Sequence, residues 1–224
     1  MNDKINILST KTLSLSQILI MDALKFNLTN IDFIDIKAIE FDYEKLKSSP
    51  LNWIITSKNS LKVLFNLFSV EMLKQINFYC VGDNTSQIIK DKKLNLVESK
   101  STSKKLGESI LLNSQTNSFS FIAGSSRRDE LPSILTNNNI NFEEFIVYET
   151  VLTAQKIEGK LDAILFFSPS GVKGYLLDNS ITDEQLFCIG QTTATEAKKY
   201  STNINIAAEQ TFEAVLEQTK QHYA

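Results

Sequence analysis

The chain is poor in the side chains that most enzymes use: 224 residues hold one histidine and two cysteines. The histidine, His222, stands two residues before the C-terminal Ala224, so no Ser-His-Asp triad, Cys-His pair or histidine-built metal site can be assembled. Cys80 and Cys188 lie inside apolar segments and not at framework spacings, which fits small buried hydrophobes in a reducing compartment. No stretch approaches the roughly 18 uninterrupted apolar residues of a membrane span. The start, Met1 to Lys4, leads into only a short apolar run without a cleavage-type site, so a cytoplasmic protein is expected. Charge of one sign is also missing: 26 acidic and 23 basic residues give −3, and the basic ones cluster only at Lys104-Lys105 and Arg127-Arg128. A broad footprint for nucleic acid is thereby excluded. The glycines form no G-x-G-x-x-G, and Gly124 to Arg128 lacks the lysine placement of a P-loop, which argues against dinucleotide and triphosphate binding.

What is present is a repeat. The segment Trp53 to Leu64 is echoed by Leu165 to Leu176, and with Ser57 matched to Ser168 the offset is 111, so that Ile54 falls on Leu165. Phe78 to Ser86 returns as Leu186 to Ala194 at an offset of 108, and Asn30 to Phe33 returns as Asn139 to Phe142 at 109. Three segments at nearly one offset predict a duplicated unit of about half the chain, and 42% hydrophobic residues supply apolar mass for two cores. Ile5 to Leu8, Trp53 to Ile55, Phe78 to Val81, Phe119 to Ile122, Ala163 to Phe167 and Phe187 to Ile189 read as buried strands, each followed by a helical stretch. Leu61, Leu64, Phe65 and Phe68 form one helical stripe, and Phe212, Val215, Leu216 and Thr219 another. Strand-helix alternation predicts parallel sheets with helices on both faces.

In open parallel sheets, ligands bind beyond the carboxyl ends of the strands. The loops there are rich in hydroxyls and glycine: Thr56, Ser57 and Asn59; Gly82 and Thr85; Gly124 to Arg128; Ser168, Ser170 and Gly171; Gly190, Thr192, Thr193 and Ala194. Taken singly they read as helix caps, Ser168 followed by Pro169 above all. Taken together, backbone N–H groups and hydroxyls at several helix starts make an anion-binding surface, and two such edges facing each other would make a donor-lined cleft. Arg128 is expected in the first turn of a helix, where the dipole disfavours a cation; this marks it as functional or as an ordinary surface arginine. Tyr148 closes the apolar run from Phe145, and its hydroxyl either completes core packing or reaches the site.

Phe166 to Gly171, Ile189 to Ala194, Gly124 to Arg128 with Leu131, and Val147 to Thr150 together resemble the uroporphyrinogen-III synthase family, in order and over nearly the whole chain. The resemblance implies two flavodoxin-like (Rossmannoid) α/β domains joined by a two-stranded linker, with a cleft between them. It places residues 1–37 and 153–224 in one domain, 40–150 in the other, and linker strands near 38–43 and 147–153. Lys11 stands where many relatives carry arginine, and the Thr56 loop lacks the usual proline. The resemblance also implies a reaction: cyclisation of hydroxymethylbilane to uroporphyrinogen III, with loss of water and inversion of ring D through a spiro intermediate. No cofactor or metal is expected, Tyr148 is the candidate acid, the loop residues named above would hold the substrate carboxylates, and a monomer is expected. The competing readings are a two-lobed, non-catalytic anion- or small-molecule-binding protein and a different cofactor-free enzyme on the same scaffold.

Overall fold

Residues 4–113 and 118–223 are described by the structure, a computed structural model; whatever was expected of Met1 to Asp3 and of Ala224 lies outside them. The chain divides into two compact units, Met1–Asp35 with Val151–Ala224, and Ile36–Thr150. It begins with β1 (Asn6–Ser9), α1 (Leu15–Ala23), β2 (Asn27–Asn30) and β3 (Ile34–Ala38). There follow α2 (Tyr43–Ser48), β4 (Asn52–Ile55), α3 (Lys58–Leu67), α4 (Val70–Leu73), β5 (Asn77–Val81), α5 (Asp83–Asp91), β6 (Asn95–Lys100) and α6 (Ser103–Asn113). Next come β7 (Ser118–Gly124), α7 (Glu130–Asn137) and β8 (Asn141–Leu152). The chain ends with β9 (Ala163–Phe166), α8 (Pro169–Tyr175), β10 (Gln185–Cys188), α9 (Gln191–Ala197), β11 (Ile204–Ile206) and α10 (Phe212–Tyr223).

The first unit holds a five-stranded sheet in the order β11-β10-β9-β1-β2, parallel throughout. Numbered along the unit, that is the flavodoxin-like order 2-1-3-4-5. The second holds a six-stranded sheet, β3-β8-β7-β4-β5-β6, whose β4 to β8 are parallel. Here β4, β5 and β6 take the places of β9, β10 and β11, while β7 and β8 take those of β1 and β2. The second unit is the same fold entered at a different strand.

The register upholds two of the three repeat segments and corrects the third. Ser9 pairs with Leu165 and Asn30, and Phe121 pairs with Ile54 and Glu144. Since Leu165 and Ile54 are equivalent, the counterpart of Asn30 is Glu144. Asn139 instead sits before β8 with φ of 57°, so its likeness to Asn30 is coincidental. The edge strand also differs from the expected 38–43. Asp42 N-caps α2 by accepting from the Lys45 N–H (2.9 Å), and the strand is confined to Ile34–Ala38. It runs antiparallel to β8, since the Ile39 N–H donates to the Val147 carbonyl and the Thr153 N–H to that of Phe33. Beyond Tyr148, β8 continues to Leu152, so 147–153 is mostly the second half of one long strand.

Both sheets are covered on both faces. Along β9, Ile164 and Phe166 enter one core cluster and Leu165 the other; along β4, Trp53 and Ile55 enter one and Ile54 the other. The two helical stripes pack as their spacing predicts. The amino ends are tied by side chains, Asn27 to Asn6 (2.7 Å), Asn77 to Asn52 (2.9 Å) and Asn95 to Asn77 (2.6 Å). On α1, Leu15 and Leu19 are 80% and 67% exposed, an apolar pair one turn apart.

Burial pushes the Cys188 thiol up to about 12. Burial, with Glu184 and Asp162 adding, pushes the Tyr175 and Tyr223 hydroxyls up to about 12. These groups lose protons more easily in the unfolded chain, so their contribution to stability is full below about pH 9 and fades as pH rises toward about 12. Urea midpoints are expected to hold between about pH 7 and 9 and to fall above that; a midpoint unchanged to about pH 11 would contradict this.

Candidate functional site

In the first unit the strand order reverses between β1 and β9, and the loops beyond them are knitted together. The Thr10 hydroxyl donates to the Leu165 carbonyl (2.8 Å) and the Ser9 hydroxyl to the Lys11 carbonyl (2.6 Å). Ser168 caps α8 by accepting from the Gly171 N–H (2.9 Å), with Pro169 in the first turn. A Cβ on Gly171 would lie 3.3 Å from Thr10 Oγ1 and 3.4 Å from Ser168 Oγ, so the two loops touch there. Thr10 was missed in the sequence; its signal was a hydroxyl directly after the first strand. Lys11 is exposed, with Nζ 5.7 Å above the Phe167 ring, and Ser170 is half-buried. Beyond β10, Gly190 caps α9 on extended backbone and is covered by Gln210. Thr192 is exposed, while Thr193 and Ala194 are buried.

In the second unit the reversal lies between β4 and β7. Thr56, Ser57 and Asn59 are half-buried, and Ser57 caps α3 by accepting from the Asn59 N–H (3.2 Å). The Ser60 hydroxyl crosses to the Ile122 carbonyl (3.1 Å). Gly82 caps α5 at φ of 88°, a backbone that other residues rarely adopt. Thr85 is therefore the third residue of α5 and not its cap. After Gly124 the chain turns: the Ser125 N–H donates to the Tyr148 carbonyl (2.9 Å) and the Arg127 N–H to the Gly124 carbonyl (3.1 Å). Arg128 is exposed and precedes α7, whose cap is Asp129, so the expected place in the first helical turn is corrected. Its neighbour Arg127 is bound by Glu144 and Asp129, and the hydrogen-bonded Glu144 carboxylate raises its pKa further.

The buried hydroxyls separate structural from available groups. Ser9, Thr10, Ser60, Ser86, Ser120, Thr219 and Tyr175 each donate to a backbone carbonyl, and Ser109 and Tyr79 are engaged as well. Among the described residues, the buried Thr85, Thr193 and Tyr148 make no side-chain hydrogen bond. Nor are their oxygens sealed in: the sealed side-chain atom without a partner among the described residues is Trp53 Nε1. Thr85 and Thr193 are equivalent positions in the two units, and Tyr148 pairs with Gly124 at the end of β7. All three lie at carboxyl edges. By contrast, an open polar pocket lined by Lys156, Tyr175, Asn179, Thr182 and Glu184 lies at the amino edge of the first sheet. Its polar groups are already bonded, Lys156 to the Asp178 carbonyl and Glu184 to the Thr182 N–H.

Two flavodoxin-like units with donor-rich carboxyl edges define the class. The sequence pattern described as uroporphyrinogen-III synthase HemD matches residues 22–217, and the chain belongs to the uroporphyrinogen-III synthase family. It is 24% identical over 188 residues to the porphyrin biosynthesis protein HemD of Ruminiclostridium josui, covering 74% of this chain and 37% of that protein. The chain thus spans little more than a third of that relative's length. Its fold is similar to uroporphyrinogen-III synthetase from Helicobacter pylori, with a TM-score of 0.75 at 18% identity over 97% of this chain and 99% of that one. A mutant uroporphyrinogen III synthase from Thermus thermophilus gives 0.63 at 13% identity over 98% of each chain.

Thr85→Val and Thr193→Val remove hydroxyls that bond nothing within the protein, so neither is expected to lose stability by more than about 0.5 kcal/mol. Ser60→Ala, which removes the bond to the Ile122 carbonyl, is expected to cost about 0.5–1.5 kcal/mol. Equal losses in urea melts of the three variants would contradict the division.

Proposed function

We propose that this chain converts hydroxymethylbilane to uroporphyrinogen III, acting as a monomer in the cytoplasm, with no metal or organic cofactor. The observation that carries the reading is that a chain of this family leaves three buried hydroxyls, Thr85, Thr193 and Tyr148, without internal partners at its carboxyl edges. The free Cys80 and Cys188 suit a reducing compartment.

A substrate with many carboxylates meets a protein of charge −3, so binding falls to local donors. The helix starts at Ser57, Gly82, Ser168 and Gly190 supply N–H groups, and Thr56, Asn59, Thr85, Ser170, Thr192 and Thr193 supply side-chain donors beside them. Gly171 and Ala194 are buried and offer only their backbones, the Tyr148 ring lies against Gly124, and the exposed Arg128 adds charge.

The Tyr148 hydroxyl donates a proton to the departing hydroxymethyl oxygen. The C–O bond breaks, water leaves, and the lone pair of the adjacent pyrrole nitrogen supplies the electrons, giving an azafulvene. The substituted carbon of the last ring attacks the methylene carbon to form a spiro intermediate. The bond from the spiro carbon to the methylene of the third ring then breaks, leaving a second azafulvene there; the unsubstituted carbon of the last ring, now inverted, attacks that methylene, and loss of the proton from this carbon restores the pyrrole and balances the one given by Tyr148. The protein's main contribution is to hold the chain in the shape that favours attack by the substituted carbon.

Hydroxymethylbilane generated in situ, incubated with the protein and oxidised, is expected to yield uroporphyrin III in place of the spontaneous isomer I. Tyr148→Phe is expected to slow this about 100-fold. Isomer I alone from folded protein would overturn the reading, whereas a full rate in Tyr148→Phe would remove only the role of Tyr148.

A further inference from the structure

We propose that Gly124 is a positioning residue for Tyr148: its missing Cβ and a bulge at Val147 seat the phenol ring against the end of β7, with the hydroxyl at the carboxyl edge. The inference rests on the reading of Tyr148 as the acid.

Two independent observations make the seat. From Ser118 opposite Asn141 to Ala123 opposite Ile146, β7 and β8 pair one for one; then Gly124 faces Tyr148, leaving Val147 as an extra residue. Bulges between parallel strands are rare, and they re-aim side chains. Here the consequence is visible in the packing: Val147 and Tyr148, neighbours that a regular strand would send to opposite faces, enter the same core cluster as Phe145. In the first unit β1 stops at Ser9, the counterpart of Phe121, and its pairing with β2 ends there, so the stretch that holds the bulge is an extension found in the second unit alone.

The second observation is the glycine. A Cβ at Gly124 would stand 2.5 Å from Tyr148 Cε2 and 2.8 Å from its hydroxyl oxygen, and closer still to Cζ. No side chain fits there unless the ring moves. Beneath the ring, the Ser125 N–H holds the Tyr148 carbonyl (2.9 Å), so the backbone stays and the ring must yield. Gly124 thereby fixes where the proton donor stands without itself touching substrate.

The test compares Gly124→Ala, Tyr148→Phe and the double variant by steady-state kinetics, with tyrosine-ring NMR on the first. Gly124→Ala is expected to lower kcat at least about tenfold with KM within about twofold, and the double variant to be no slower than Tyr148→Phe. The ring resonance missing from Tyr148→Phe is expected to shift in Gly124→Ala. A slow Tyr148→Phe with losses that multiply in the double variant, or a full rate in Gly124→Ala, overturns this inference and leaves the acid assignment standing. A full rate in Tyr148→Phe overturns both. Should Gly124→Ala fail to fold, Gly124→Ala/Tyr148→Leu decides: a folded double variant supports the seat, and an unfolded one overturns it.

Discussion

A parallel sheet covered on both faces has only its strand ends left for solvent and ligand, and nearly every feature of this chain follows from that constraint. Ile54 and Ile55, or Leu165 and Phe166, are fully buried on alternate sides, so the strands read as continuous apolar runs and carry no chemistry themselves. At the amino ends the asparagines bond to one another across the strands. At the carboxyl ends the chain must turn into helices, and their first N–H groups cannot be satisfied within the helix. The same geometry that closes the core therefore opens a row of donors at one edge.

Within that edge the hydroxyls divide by their partners. Thr10 and Ser60 reach across to carbonyls of a neighbouring strand, Leu165 and Ile122, and hold loops to the sheet. Ser57 and Ser168 hold the starts of their helices. Thr85 and Thr193 sit one turn into α5 and α9 with no such duty, at matching places in the two units. Hydroxyls with no partner in the protein and not sealed from solvent are free to bind a ligand, which is why the proposed site rests on these positions, together with Tyr148, more than on richness in serine and glycine.

Much of this was legible in the sequence. The repeat of Ser57 at Ser168 and Gly82 at Gly190 revealed two like units, because a cap after a buried strand has a strong local signature. The strand order within each unit, and the edge strand Ile34–Ala38, were not legible in the same way: pairing is decided by contacts far apart in sequence, and Asp42 turns a plausible strand into a helix start. Arg128 was misplaced for the same reason, since a turn stabilised by Ser125 and Arg127 N–H bonds delays the helix until Glu130. The seat of Tyr148 was invisible, because neither the register shift at Val147 nor the space above Gly124 leaves a trace in residue type alone.

The most direct measurement of the central claim is backbone amide NMR of the protein titrated with uroporphyrinogen III under reducing conditions. The account predicts shifts at the helix starts near Ser57, Asp83, Gly171 and Thr192, and at Ser125 beneath Tyr148, while the amino-edge asparagines stay still. Shifts centred on Lys156, Thr182 and Glu184, with the carboxyl edges unmoved, would contradict it.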